Sequence, residues 1–335
     1  MRRDMSSKPT LFAVAKRAGV SIASVSRVVN GIAAGADIEE RVKEAISELG
    51  YQPNSAARAL KVKAAEQICL TLPDLSNPVY QAMIRGVQKG FKISKYRVTL
   101  STSTLSSQDV IEQLQSLGSN YADGLIINSI FQNEEIAALF RRLTIPIVIL
   151  GSAPRGVEAD SIRVDSVEGV DIAVEYLYKK GRKKILFLNG PWMTNPAKLR
   201  KAGFIKSLEE RGDKNPERHI ASAKAFSPHA AVEALDSFKN LKNYSAIVCA
   251  NDLLAAGAIR YLSDQKISVP EDIAVIGIDN TELAELLNPA LTSVDFKAEY
   301  RGQLAAKFLL ERLEHPETPR KRMVIEPELV VRDSA

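Results

Sequence analysis

Two cysteines, three histidines and one tryptophan in 335 residues leave little material for several classes of chemistry. Cys69 and Cys249 sit far apart, each inside an apolar, strand-like run. No disulfide framework or paired-cysteine redox motif is in reach, and both read as reduced core residues, as suits the cytoplasm. His219, His229 and His315 have no metal-ligand spacing with one another or with either cysteine. The chain lacks GxxxxGK(S/T), GxGxxG after a strand, GxSxG and HExxH. Phosphate loops, dinucleotide fingerprints, nucleophile elbows and zinc-protease helices are therefore excluded. No catalytic residue, no cofactor and no metal is expected, and so no enzyme. No apolar run approaches the ~18 residues of a membrane span. The basic start Met1-Arg2-Arg3-Asp4 is not followed by an apolar stretch, so no export signal and no membrane partner is expected. After residues 323–331 there is no apolar heptad repeat, so no tetramerising coiled coil is expected and a dimer is the default.

What is present is ordinary in bulk and uneven in placement. The hydrophobic share of 45% and charged share of 25% belong to a folded globular chain of two or three domains. The net charge is +5, and residues 1–65, with 11 Lys/Arg against 6 Asp/Glu, carry all of it. The remaining 270 residues are balanced. A solvated basic face is common, but an excess confined to one small segment is what phosphate contact requires.

That segment reads as short helices. Thr10 caps Leu11–Ala18, where Leu11, Val14, Ala15 and Ala18 share one apolar face, and Gly19 stops it. Ser21 caps a second helix, Ile22 to Val29, with Val25, Val28 and Val29 inward and Asn30-Gly31 at its end. Two short helices about a Gly-Val-Ser turn make a helix-turn-helix, whose second helix enters the major groove. Ile22, Ala23, Ser26 and Arg27 lie away from the valines, and the Arg27 guanidinium suits the two acceptors of a guanine edge. Asp37 and Glu40 suggest a capping box for a third helix carrying Ile38, Val42, Ala45, Ile46 and Leu49. A three-helix module that binds protein is the competing reading, and the charge disfavours it. Beyond Pro53, the segment Asn54 to Lys61 is too short to be a stable helix alone and would order only when docked. Leu60 is the kind of side chain that wedges a base step from the minor groove.

The run Val14-Ala15, Ala18-Gly19-Val20-Ser21 and Val25-Ser26-Arg27-Val28-Val29-Asn30-Gly31, then Glu48-Leu49-Gly50-Tyr51-Gln52-Pro53-Asn54, Ala57-Arg58 and Leu60, strongly resembles the LacI–GalR (lactose-repressor/galactose-repressor) family of transcription regulators. The link from Ile32 to Ala36 departs from it by being a residue shorter. The resemblance implies a homodimer on a pseudo-palindromic double-stranded operator, with hinge helices opening the minor groove around Ala57 and Leu60. It implies a DNA-facing set of Thr10, Ser21, Ile22, Ala23, Ser24, Ser26, Arg27 and Asn30 from the headpiece. Asn54, Ala57, Arg58 and Leu60 complete that set from the hinge.

From Gln67 onward, strands at Ile68–Leu72, Val98–Ser101, Leu125–Asn128, Ile147–Leu150, Ile185–Leu188, Ile247–Ala250 and Ala274–Ile278 alternate with helical stretches such as Tyr80–Lys92, Val167–Lys180 and Arg200–Glu210. Such alternation predicts doubly wound parallel sheets, and the strand count fits two lobes with a ligand cleft between them. The expected fold class is thus an all-α helix-turn-helix headpiece with a hinge helix, followed by a two-lobed α/β domain of periplasmic-binding-protein type. The expected divisions are 1–52 for the headpiece, 53–65 for the hinge and 66–335 for the two-lobed domain. Its first lobe takes 66–163 with 294–323, and its second 164–293 with 324–335. The resemblance places Asn77, Tyr80, Asn128, Ser129, Thr194, Arg200, Phe226, Asn251 and Asp279 at an effector. Strand-end acids such as Asp165 are equally suited to capping the next helix. Gly151-Ser152 stands where many relatives carry an acidic and then a larger side chain, which implies a roomier pocket or one built for a different ligand. The mixture of Arg, Asp, Asn and aromatic residues favours a sugar over a purine. The alternatives are a corepressor-dependent regulator that senses a nucleobase, and a sugar-binding receptor that reads no DNA.

Overall fold

A computed structural model describes residues 9–29, 31–51, 65–103, 106–117 and 122–335. The chain divides into two compact units, Met1–Ala65 and Glu66–Ala335.

The first unit is built on α1 (Leu11–Ala18), α2 (Ile22–Val29) and α3 (Ala36–Leu49). The Thr10 side chain accepts from the Ala13 amide at 3.3 Å, and Gly19 closes α1 in the left-handed conformation. The Ser21 hydroxyl accepts from the Ser24 amide at 3.1 Å and so caps α2. Val14, Ala15, Ala18, Val25, Val42, Ala45 and Tyr51 form the buried core. The expected Asp37–Glu40 capping box is not formed. Helix α3 begins at Ala36 behind Gly35, which caps it without a side-chain bond. Asp37 thus lies inside the first turn, where it faces Arg41 at 3.5 Å, a pair that also suits the helix dipole.

The second unit contains two six-stranded sheets. The first sheet uses β1 (Gln67–Leu72), β2 (Arg97–Thr102), β3 (Gly124–Ile127), β4 (Ile147–Leu150), β5 (Asp160–Val164) and β11 (Arg322–Ile325), ordered β11-β5-β4-β3-β1-β2 and wholly parallel. The second uses β6 (Ile185–Asn189), β7 (Ile220–Ser222), β8 (Ala246–Cys249), β9 (Ala274–Ile278), β10 (Thr292–Asp295) and β12 (Glu328–Val330), ordered β12-β10-β9-β8-β6-β7. Only β12 runs antiparallel there.

The intervening helices are α4 (Pro78–Phe91), α5 (Ser107–Ser116), α6 (Glu134–Arg142), α7 (Ser166–Lys179), α8 (Asn195–Glu210), α9 (Pro228–Asp236), α10 (Asp252–Asp264), α11 (Glu282–Leu286) and α12 (Ala298–Glu314). The chain crosses between sheets after β5, after β10 and between β11 and β12. The last two crossings fall two to three residues beyond the expected divisions. Ladder pairing sets the difference: Val294 opposes Ile278 and Leu329 in the second sheet, while Val324 and Ile325 oppose Arg163 and Val164 in the first.

Three contacts fix α8, α4 and α12 in place. On α8, Arg200, Phe204 and Ser207 share the buried face, and Phe204 stacks on Phe187 of β6 at 5.1 Å. Helices α4 and α12 meet backbone to backbone. A Cβ on Gly302 would stand 2.3 Å from the Met83 carbonyl oxygen, and one on Gly86 1.9 Å from that of Glu299. At the other end of α12, buried Arg312 grips buried Asp160 through Nε at 2.9 Å and Nη2 at 3.1 Å. It also donates to the carbonyls of Pro316, Thr318 and Pro319. Removing one member of such a pair strands the other charge, at a cost of about 3–5 kcal/mol. Arg312→Met should therefore lower unfolding free energy in urea by about that amount. A loss below about 1 kcal/mol would show that water, not Arg312, satisfies Asp160.

Candidate functional site

On α2 the buried Val25 turns the opposite side of the helix to solvent. Ile22 is 50% exposed, and Ala23 and Arg27 are exposed beside it. Arg27 donates one N–H to the Ala33 carbonyl at 2.9 Å, which holds the guanidinium against the loop after α2. The structure gives Thr10, Ser21 and Ser24 local duties: Thr10 and Ser21 cap helices, and the Ser24 hydroxyl bonds that of Ser21 at 2.9 Å. Ser26 is half-buried. Phe12 and Ile32, which the sequence did not single out, are more than half exposed in the same unit. Asn30, Asn54, Ala57, Arg58 and Leu60 lie outside the described residues.

In the second unit, the carboxyl ends of strands from both sheets face one cleft, where open α/β sheets bind ligands. Eight of the nine expected residues line it: Asn77, Tyr80, Asn128, Ser129, Arg200, Phe226, Asn251 and Asp279. The ninth, Thr194, does not. Its hydroxyl donates to the Pro191 carbonyl at 2.8 Å and caps α8, so its role is to start the helix that carries Arg200. Gly151 and Ser152 line the cleft, and Arg163, Asn195, Phe296 and Arg301 line it unforeseen.

Several of these residues do two jobs. Asn77 accepts from the Val79 amide at 3.1 Å and Asn251 from the Leu254 amide at 2.9 Å, so each caps a helix with its oxygen while its NH2 remains to donate. The Asn128 NH2 donates to the Leu150 carbonyl, and the Ser129 hydroxyl to that of Phe131 at 2.8 Å. The ring of Phe226 lies where a Cβ on Gly190 would be, 2.1 Å from a ring carbon, so glycine there lets the aromatic wall close in. Arg200 donates to the Ala250 carbonyl at 2.7 Å, reaches Asp279 at 3.6 Å and rests over the Phe296 ring at 5.3 Å. The Nε atoms of Arg200 and Arg301 are buried without a hydrogen-bond partner among the described residues. Burial pushes the Tyr80 hydroxyl up, a rise to which the Asp279 charge adds. Behind the cleft, Asp252 accepts from the Thr281 amide at 2.7 Å, the Thr281 hydroxyl at 2.9 Å and the Ser293 hydroxyl at 2.6 Å.

Comparison with known proteins covers both units. Residues 10–54 match the family model for bacterial regulatory proteins, lacI family, and residues 174–335 match the periplasmic binding protein-like domain. The HTH-type transcriptional regulator RegA of Clostridium saccharobutylicum is 33% identical over 326 residues, 96% of this chain and 97% of RegA. The solved lac repressor dimer bound to operator and the anti-inducer ONPF matches with a TM-score of 0.84 at 26% identity, covering 98% of this chain and 99% of that one. The transcriptional regulator CelR–cellobiose complex matches at 0.74 and 28% identity, over 98% and 100%. Among the described residues no helix is long and apolar enough to cross a membrane.

The buried carboxyls give the cleft a titration signature. Burial lifts Asp279 to about 6, against the pull of Arg200 and Arg301, and lifts Asp252 to about 7, with the Asp279 charge adding. Between the unfolded value near ~4 and these values, the folded chain holds protons that the unfolded chain has released. The stability they contribute is full below about pH 4 and is lost as pH rises through about 6 and then about 7. An Asp252→Asn, Asp279→Asn double variant should therefore show a flatter decline in urea-measured stability over that window than wild type, by a few kcal/mol at most. Parallel curves would mean that water reaches both carboxyls and their burial is not the cause.

Proposed function

This chain belongs to the lacI family of bacterial regulatory proteins, and on that premise we propose that it represses transcription as a homodimer on a pseudo-palindromic operator and changes its grip when a small polyhydroxylated molecule enters the interlobe cleft. The observation that carries this reading is the convergence of polar and aromatic side chains from both lobes on one cleft, in a chain whose other unit presents the bare side of a helix-turn-helix. Amide and hydroxyl groups of Asn77, Asn128, Ser129 and Asn251 bond hydroxyls, and the faces of Tyr80 and Phe226 pack against ring C–H groups. The cellobiose complex of a structural neighbour supports a carbohydrate over a base. We read the chain as a regulator rather than an enzyme, working in the cytoplasm where its operator is.

Ile22, Ala23 and Arg27 read bases in this account, and the headpiece lysines and arginines hold phosphates. Ligand shifts the balance between cleft states, and operator affinity follows by its differential affinity for them.

Selection from random duplexes should enrich a pseudo-palindrome. The log–log salt slope of the winner should be roughly −5 to −9, for ~6–10 phosphate contacts. Arg27→Ala should cost about 1–3 kcal/mol on that sequence and relax preference at one base pair in each half-site. Arg200→Ala should bind the operator and no longer respond to ligand. Binding with no enriched sequence would sink the repressor reading and leave a ligand receptor.

A further inference from the structure

Arginines stand at both ends of one buried stripe on α12, where Arg301, Ala305, Phe308, Leu309 and Arg312 are all buried. Arg312 makes five hydrogen bonds to Asp160 and to three carbonyls. Arg301, 5% exposed, makes no ion pair among the described residues, and its Nε has no hydrogen-bond partner. It lines the cleft, and the close seat of Gly302 on Met83 fixes it there. A guanidinium carries five donors and cannot shed its charge, so burial without a partner is costly and persists where function needs it. Burial lowers Arg301 to about 10, with Asp279 opposing that fall and Arg200 adding to it.

The chain itself does not supply the missing acceptor. Asp279 already faces Arg200 at 3.6 Å. Asp252 is saturated by Thr281 and Ser293, and Asp295 accepts from the Lys297 amide at 2.6 Å. Arg200 and Arg301 against Asp279 leave one surplus positive charge in the buried part of the cleft, while Arg163 stands at the exposed rim, where water and salt screen it.

Building on the cleft as effector site, we propose that the effector is a sugar acid whose carboxylate is held by Arg301 with Arg200 opposite, while the amides and hydroxyls named above take its hydroxyls. A carboxylate cancels the single surplus charge and fits the guanidinium fork with two parallel bonds. A phosphate monoester, at about −1.5 to −2, would overshoot it.

The test measures the melting midpoint and operator binding of the full chain with D-gluconate, D-glucuronate and D-galacturonate. The comparison arms are glucose, galactose and ribose, and then glucose 6-phosphate. A sugar acid should raise the midpoint in a dose-dependent way and alter operator binding, with at least about tenfold weaker binding in Arg301→Leu. Without ligand, Arg301→Leu and Arg301→Gln should melt higher than wild type by about 2–4 °C, because an unpaired buried charge is gone. Lower midpoints in both variants would make Arg301 a structural residue and overturn the proposal. Phosphate binding without carboxylate binding would overturn it in favour of a phosphorylated ligand. Neutral sugars that bind as tightly, unaffected by Arg301→Leu but lost in Arg200→Ala, would remove the carboxylate and leave the sugar-responsive reading standing. No shift from any of these compounds would take down both.

Discussion

The three crossings between the two sheets are the constraint from which the rest of residues 66–335 follows. Parallel strands need long crossover connections, which send the carboxyl ends of all the parallel strands of a lobe the same way and make those strand ends a shared floor. Each crossing is pinned by local bonds. Asp165 accepts from the amides of Val167 and Glu168 at 3.1 Å and starts α7 at the first. Asp295 fixes the turn into α12 at the second, and Lys297 reaches Glu328 of the third at 3.4 Å. Phe296, on the second crossing, is buried against Gly169 and carries Arg200 over its ring. The pivot between the lobes and the floor of the cleft are thus partly the same residues, so a ligand on that floor touches what would have to move.

Charge is distributed across this pivot unevenly. Arg200 comes from α8 of the second lobe, held by the Phe204–Phe187 stack; Arg301 comes from α12 of the first, held by the Gly302–Met83 contact. Packing therefore sets both guanidiniums in place without giving Arg301 a counter-charge. The contrast with Arg312 is instructive, because the same helix and the same face show that the fold can neutralise a buried arginine when stability is the purpose. Clefts built for ligands instead keep polar groups organised and unsatisfied until the ligand arrives.

Strands with a continuous apolar run were mostly legible in the sequence, and strands that mix in polar positions mostly were not. Six of the seven strands read from it carry an apolar run, and the helix-turn-helix announces itself by its caps and valines. The strands that went unread, β5, β7, β10, β11 and β12, are three to five residues long. Most mix polar with apolar positions, as in Thr292-Ser293-Val294-Asp295. They become strands because a ladder partner is waiting, and that is tertiary information. The resemblance assigned Thr194 to the cleft; its bonds to the Pro191 carbonyl and the Ala197 amide turn it away. Arg301 had a readable signal that was missed. Counting i, i+4, i+7, i+8 and i+11 from it meets Ala305, Phe308, Leu309 and Arg312, so an arginine sits on an apolar stripe. Glu299, Tyr300 and Gln303 surround it in sequence and mask that stripe.

These placements decide what kind of ligand can act as a switch. A molecule shifts a two-state equilibrium only by the difference between its affinities for the two states, however tightly it binds either. A ligand held by one lobe alone contributes equally to both states and moves nothing. A carboxylate between Arg301 of one lobe and Arg200 of the other makes bonds whose lengths depend on how far the lobes are closed. Before it binds, the two guanidiniums repel across the gap, with Asp279 offsetting part of that repulsion. Its arrival replaces repulsion with two attractive contacts, and both changes favour the same closed arrangement. A coupling of about 1–3 kcal/mol, enough for a ~5–150-fold change in operator affinity, needs only a small share of such contacts to be state-dependent. The ligand's charge and its ability to switch are then one property, because the group that completes the buried arginine is the group that spans the lobes.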